Sequence, residues 1–247
     1  MEERLAKILA RFDIGSRREC EALIIAGVVT LNGQVVTEVG LKVDPLKSAI
    51  KVHGKLVQTA THTVSHQYLM VHKPKGILTT LKPDPEGRPT LADLLNQKIM
   101  KARLFPVGRL DFNSEGLVLL TNDGELAYRL THPKFKVNKT YEVKVQGIPP
   151  RRIIDILAKG VNLDDGRTKP AKVRLMRTTG TNAWLSITIA EGKKRQIRRM
   201  CEKVRYPAVK LRRVKIGPVR LAGMERGQVR MLLPDEIKQL KEAVQLV

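Results

Sequence analysis

The sequence predicts an α+β protein in two parts. A small N-terminal helix–helix–sheet unit comes first. A larger domain follows, with a mixed, largely antiparallel sheet and flanking helices. Three observations carry this reading. Residues 1–60 hold two apolar stripes at helical spacing, then hairpin signals. From residue 67 onward, several runs alternate with period two, joined by short turns and interrupted by helical patterns. Between them lies a polar stretch, "QTATHTVSH" (58–66), with little to pack. The expected bounds are therefore 1–60, a linker at 61–66, and 67–247.

In the first part, Leu5, Ile8, Leu9 and Phe12 recur at helical spacing, and Gly15 is expected to end that element. Ser16 is an N-cap, and Glu19 three residues on completes a capping box. Cys20, Leu23 and Ile24 form the inner face of this second helix, which Gly27 stops. "VVTLNGQVV" places two β-branched runs about Asn32-Gly33, a strong hairpin signal, and a later strand pair turns at His53-Gly54. In the linker, His62 and His66 are spaced i, i+4. Intervening β-branched residues and the lack of a third ligand argue against a metal.

In the second part, "YLMVHKPKGILTTL" reads as two strands around a Lys-Pro-Lys-Gly turn. Thr90 caps a helix through "LADLLNQKI". "GLVLLT" is a short buried strand ending in Asn-Asp-Gly. "TYEVKVQG" alternates, with Tyr141, Val143 and Val145 on one face, and "AWLSITIAEG" alternates again. "PPRRIIDILAKG" opens with Pro and closes with Gly, as helices prefer. "RQIRRMCEKV" aligns Ile197, Met200, Cys201 and Val204 on one helical stripe. "DEIKQLKEAVQL" closes the chain as a helix with acids in its first turn.

Charge narrows the partner. The chain carries 46 Lys+Arg against 24 Asp+Glu, a net +22, which calls for a polyanion. No apolar run approaches the ~20 residues of a membrane span. The opening "MEERLAKILARF" is charged and amphipathic rather than a signal peptide, so a cytoplasmic setting is expected. Cys20 and Cys201 are the only cysteines, too few for a zinc set or a disulfide framework. Aromatic residues are only 4%, which favours grip on folded RNA by its phosphates over a string of stacking platforms. The cations are also placed. Arg4, Lys7 and Arg11 share a helix face, Arg17 and Arg18 open the next helix, and together they suggest a phosphate cradle. Residues 191–220 hold 12 basic side chains against Glu191 and Glu202 alone. Among them, Lys193, Lys194, Arg195 and Arg199 are expected to bind RNA.

The chemistry centres on "VGRLDFNSEGLVLLTNDG" (107–124), where one carboxylate, Asp111, precedes an apolar strand. By itself such an Asp is a turn former or a partner of Arg109. Its motif changes the reading. "GRLD", "EGLVLLTNDGELAYRLTHP", "KPDPEGRPTLADLL", "KTYEVKVQG" and "EGKKRQIRRM" together resemble the RNA pseudouridine synthases of the RsuA/RluB type. "ERLAKILARFDIGSRRECEALIIAGVVTLNGQVV" resembles the S4 RNA-binding domain that precedes that catalytic domain.

The resemblance implies isomerisation of uridine to pseudouridine in ribosomal RNA. By text it is closer to the large-subunit than the small-subunit branch, which implies 23S over 16S rRNA. It implies Asp111 as the group that meets the ribose, Arg198 as its ion-pair partner, and Tyr141 stacked on the target base. Arg109, beside that group, is a candidate for holding the displaced backbone or filling the vacated space, and Leu232 would line the pocket. Covalent attack on C1′ and proton abstraction to a glycal stay open. No cofactor or metal is called for, because nothing is added or lost overall, and a monomer is expected. A non-catalytic rRNA-binding factor and a nucleoside-bond hydrolase are the rival classes. The hydrolase would normally need a paired acid, which the GRLD motif lacks. One departure from the family text is His72 before Lys73-Pro74, where relatives carry Asn or Tyr.

Overall fold

The computed structural model describes residues 2–57, 65–100 and 102–246, with Lys98 described by its backbone alone. The chain divides into two units, Met1–His66 and Gln67–Val247. The polar stretch read as a linker, including His62, lies largely at 58–64, outside the described residues. Among those residues, no helix is long and apolar enough to cross a membrane.

In the first unit, α1 (Leu5–Arg11) buries Leu5, Ala6, Ile8 and Leu9. It ends earlier than Gly15: Phe12 is its C-cap and Asp13 adopts a left-handed φ of 62°. The second helix, α2 (Arg17–Ile25), carries the expected capping box. Glu19 N–H donates to Ser16 Oγ at 3.3 Å, and Ser16 N–H donates to Glu19 Oε2 at 2.8 Å. Strands β1 (Val29–Leu31), β2 (Gln34–Val35), β3 (Ile50–Val52) and β4 (Lys55–Leu56) form an antiparallel sheet in the order β2-β1-β3-β4. Its two tight turns put Asn32-Gly33 and His53-Gly54 at positive φ, which is why Asn and Gly suit those places. Ile8, Leu9, Cys20, Ile24, Val29 and Ile50 make the core.

In the second unit, the main strands are β5 (Tyr68–Lys73), β6 (Glu115–Thr121), β7 (Lys139–Gln146), β8 (Lys172–Thr179), β9 (Asn182–Ile189), β10 (Ala208–Ile216) and β11 (Val229–Met231). The helices used below are α3 (Gly124–Thr131), α4 (Arg151–Lys159), α5 (Gln196–Lys203) and α6 (Pro234–Glu242). Among the described residues the sheet has nine strands, in the order β8-β9-β7-β10-β6-β5-β11. Val219–Arg220 attaches to β10 and Phe105–Pro106 to β6. All pairs are antiparallel except β10 with β6, where Arg213 sits opposite Gly116.

That parallel pairing needs a glycine. Gly116 has φ +118°, and a Cβ there would lie 2.3 Å from the Arg213 carbonyl oxygen. Two sequence expectations change. "GILTT" is not a strand; Leu78 makes only an isolated bridge to Thr90. Thr90 caps a 3-10 turn, Leu91–Leu94, with a separate short helix at Gln97–Met100. The edge strand β8 shows no clear alternation of apolar residues, since most of it is exposed.

Period-two alternation divides the sheet into two faces. One packs Val71, Val118, Val143 and Leu185 against Leu157 of α4 and Ile197, Met200 and Cys201 of α5. On the other, Met70, Leu117 and Leu119 of β5 and β6 pack against Leu126 and Leu130 of α3 and Leu240 of α6.

Candidate active site

The turn before β6 is where the GRLD motif lies. Gly108 enters it at φ +71°, close to Thr131. Thr79 then fixes the next peptide from both sides. Its hydroxyl donates to Leu110 O at 2.6 Å and accepts from Leu110 N–H at 3.1 Å. Ser114 N–H donates to Asp111 O at 3.0 Å and closes the turn. The chain therefore presents Asp111 at a fixed place, half-buried, at the wall of a cavity of about 400 Å³.

Two buried guanidinium groups hold this turn from behind, and a buried lysine lies close by. Arg198 of α5 donates to Asn113 O at 2.8 Å, to Ser114 Oγ at 3.3 Å and to Ala208 O at 3.0 Å. Arg213 of β10, 2% exposed, donates to Leu117 O at 2.8 Å and to Arg109 O at 3.4 Å. Lys73, wholly buried at the end of β5, donates to Pro74 O at 2.8 Å. Burial lowers the Lys73 pKa to about 8; the Asp111 and Glu115 charges oppose that shift, and Arg213 reinforces it. Arg198 is also lowered by burial and by Arg195, and Asp111 again opposes. Asp111 is thus within the field of two buried cations. Its carboxylate has no hydrogen-bond or ion-pair partner among the described residues.

Tyr141 of β7 is buried and lines the cavity with Lys139, Ile189, Ile197 and Leu211. Its cross-strand neighbour is Arg213, which explains why phenol and guanidinium share one wall. Burial lowers Lys139 to about 8, with Arg213 adding to the shift. Lys193, Lys194 and Arg195 form the rim before α5, and Arg109 joins them across the opening.

The structure therefore brings together Asp111, Tyr141, Arg109, Lys193, Lys194 and Arg195. Other expected members are elsewhere. The Asp111–Arg198 ion pair does not form among the described residues: Arg198 points its donors at the backbone of the turn and does not line the cavity. Arg199 makes a bidentate pair with Asp165, at 2.9 Å to each oxygen, so it clamps a neighbouring hairpin. Lys193 reaches that hairpin too, donating to Asp165 O at 2.7 Å. Leu232 belongs to the cluster of Tyr68, Leu117 and Leu240 on the opposite side of the sheet. Leu211 takes the apolar place in the cavity wall that Leu232 was expected to fill. In the first unit Arg4, Arg17 and Arg18 are exposed, while Glu3 pairs with Lys7 at 3.0 Å and Arg11 at 2.6 Å.

Sequence reasoning misses Lys73, Lys139 and Arg213. Each has a signal. Lys73 ends a strand whose every residue is buried; Lys139 is two residues from Tyr141, and Arg213 two from Leu211, so each shares its neighbour's face. No group of three or more His, Cys, Asp or Glu among the described residues could hold a metal.

A cavity lined by a half-buried carboxylate and a buried tyrosine, and walled and rimmed by cations, is the kind of site that suits an enzyme with a polyanionic substrate. Comparison with known proteins gives its family. Residues 67–203 match the model for RNA pseudouridylate synthase, and residues 3–45 match the S4 domain. Ribosomal large subunit pseudouridine synthase B of Bacillus subtilis is 39% identical over 97% of this chain and 96% of its own length. The protein of the same name from Haemophilus influenzae is 38% identical over 99% of this chain and 68% of its own. A crystal structure of a pseudouridylate synthase superposes with a TM-score of 0.69 at 30% identity, over 96% of this chain and 99% of that one. The chain belongs to the RNA pseudouridylate synthase family and carries an S4 domain ahead of the catalytic domain.

Proposed function

We propose that this protein converts one uridine of large-subunit ribosomal RNA to pseudouridine, with Asp111 as the group that acts at the ribose. The observation that carries this is the placement of Asp111, half-buried beside Tyr141 in a cavity walled and rimmed by cations. The names of the 39% and 38% identical relatives support the large subunit as the source of the substrate. The S4 unit at 1–60 and a linker at 61–66 deliver the RNA to a catalytic domain at 67–247. The protein acts as a cytoplasmic monomer.

The reaction breaks the bond from C1′ to N1 of uracil and forms one from C1′ to C5. The C5 proton leaves and N1 gains one, so the composition is unchanged. The target nucleotide must leave its stack, at a cost of a few kcal/mol. Lys193, Lys194, Arg195 and Arg109 offset that cost at the flanking phosphates. Tyr141 takes the face of the freed base. Asp111 then acts at the sugar, either by attack on C1′ or by removing a neighbouring proton. Its carboxylate has no bound partner among the described residues, which leaves its oxygens free to react. Arg198 is a positioning residue in this scheme.

Asp111→Asn tests the proposal. RNA binding should stay within about threefold of wild type while pseudouridine formation disappears, because the amide fills the same space without charge or nucleophilicity. Pseudouridine sequencing of ribosomal RNA from cells with and without the protein identifies the uridine. Full modification by the Asn variant would refute the assignment. An unchanged modification map would favour a non-catalytic rRNA-binding factor.

A further inference from the structure

The sheet of the catalytic unit is covered by helices on only part of one face. Where β5 and β6 run, α3 and α6 pack on it. Over β8, β9, β7 and β10, the same face carries polar side chains, and the register sets them in rows. One row reads Lys172, Thr188, Thr140, Lys215. The next reads Arg174, Ser186, Glu142, Arg212. The third reads Arg177, Trp184, Lys144, Lys210. Tyr141, Val143 and Leu211 alternate with these residues and face the other way, toward the core and the Asp111 cavity. This is the reverse side of the catalytic sheet.

Three features distinguish this face from an ordinary solvated surface. First, the rows hold seven cations and one acid, and among the described residues only Arg212 is ion-paired, with Glu142. The cations form two groups, one on β8 and one on β7 and β10, with β9 between them. Within a group neighbours stand about 5–7 Å apart, at strand and residue spacing, and such like charges repel one another unless an anion neutralises them. Second, the face is concave. A cavity of about 750 Å³ lies between the first two rows and the 220–224 segment, larger than the cavity at Asp111. Third, its wall contains an unsatisfied acceptor. His72, 4% exposed, has Nδ1 3.0 Å from the Met224 carbonyl oxygen, and a carbonyl can only accept, so Nδ1 carries the proton. The Nε2 of the neutral ring is then an acceptor, buried with no partner among the described residues. A ribose 2′-hydroxyl is a donor of that kind, and a phosphodiester backbone supplies the anion. At the far row, the Arg177 guanidinium lies over the Trp184 ring, 5.3 Å from its centroid, which seats that cation on the face.

We propose that the reverse face of the catalytic sheet is a second RNA-binding surface. Its occupant is a strand of the substrate ribosomal RNA remote from the target uridine. This rests on the proposed function above and extends it: the enzyme would grip one RNA with both faces of a sheet, reacting at one and anchoring at the other.

The test is the triple variant Lys172→Glu/Arg174→Glu/Lys210→Glu. All three positions are exposed, on β8 and β10, and none lines the Asp111 cavity. Two substrates are compared: a full-length large-subunit rRNA transcript, and a short stem-loop cut around the uridine that the wild type modifies. On the transcript, KM should rise about tenfold or more with kcat unchanged. The salt dependence of binding should flatten by roughly 0.7–0.9 in log–log slope for each phosphate that is no longer neutralised. On the stem-loop both constants should stay at wild-type values. An unchanged KM on the transcript overturns the proposal. Equal losses on both substrates overturn it too, since they would reflect damage to the fold or to the active site. If the wild type modified no uridine in the transcript, the proposed function would fail by itself. Filter binding of transcript to wild type and variant would then still decide the reverse face.

Discussion

In the N-terminal unit, Glu3 meets Lys7 and Arg11, one and two helical turns away, at a half-exposed surface. In the C-terminal unit, Asp111 shares its surroundings with Lys73 and Arg198, from a distant strand and helix, and both cations are buried. The first arrangement costs little to form and contributes little, because exposed pairs are worth about 0–1 kcal/mol. The second is costly to form. A buried lysine pulled down to about 8 is under strain from desolvation, and only a large sheet can hold it in place. The N-terminal unit can be altered side chain by side chain. The Asp111 turn takes its side-chain donors from Arg198 and Arg213, far along the chain.

The largest expected effect follows from that dependence. Arg198→Met keeps the bulk and removes three hydrogen bonds to the 113–114 turn and to Ala208. Each buried acceptor left unsatisfied costs about 1–3 kcal/mol. We expect kcat to fall about 100-fold, equivalent to about 2.7 kcal/mol in the barrier. KM should stay within about threefold, because Arg198 touches no part of the cavity where RNA would lie. Single-turnover kinetics measures the split. A variant with wild-type kcat would show that the turn holds its shape without the guanidinium, and the contrast between the units would lose its main support.

The same contrast decides what is legible in the sequence. The capping box at Ser16 and Glu19, the turns at Asn32-Gly33 and His53-Gly54, and the stripe of Leu5, Ile8 and Leu9 are signals written within a few residues. They can be read because the physics behind them is equally local. Asp111 and Tyr141 are legible through motif and alternation, and both line the cavity. Arg198 is legible, but its partners are not. Its three acceptors come from positions 113, 114 and 208, and no spacing rule links them. Lys73, Lys139 and Arg213 are hidden for a related reason. A cation in a basic chain reads as surface until the register between β7 and β10 sets Arg213 beside Tyr141. Leu232 is misplaced because an apolar residue next to a short strand fits either face of a sheet, and only the pairing with β5 decides which.

A smaller effect separates the catalytic unit's cations from one another by pH. Burial lowers Lys139 to about 8, so its charge is complete well below that pH and is lost as pH rises through it. Its contribution to phosphate attraction is therefore present at pH 7 and absent at pH 9. RNA affinity should weaken a few-fold across that window, at constant ionic strength, measured by fluorescence anisotropy with the Asp111→Asn protein so that no turnover intervenes. Lys139→Arg keeps the cation charged throughout and should flatten the profile, since a guanidinium does not titrate there. If Lys139→Arg retains the wild-type slope, the titrating group is not Lys139.

The smallest expected effect lies wholly in the N-terminal unit. Ser16→Ala removes the acceptor for the Glu19 N–H and half of the capping box. The loss is about 1 kcal/mol, as for other N-caps, and in a unit of this size it corresponds to a midpoint shift of roughly 4–8 °C. Calorimetry should show the transition of the N-terminal unit moving down by that amount while the transition of the catalytic unit stays where it was. The kcat on a short stem-loop should be unchanged, because no atom of the Asp111 turn is bonded to Ser16. Two transitions that move together would mean that the units unfold as one. The stability of the Asp111 turn would then depend on a cap far from it in sequence, and the local character assigned to the N-terminal unit would be wrong.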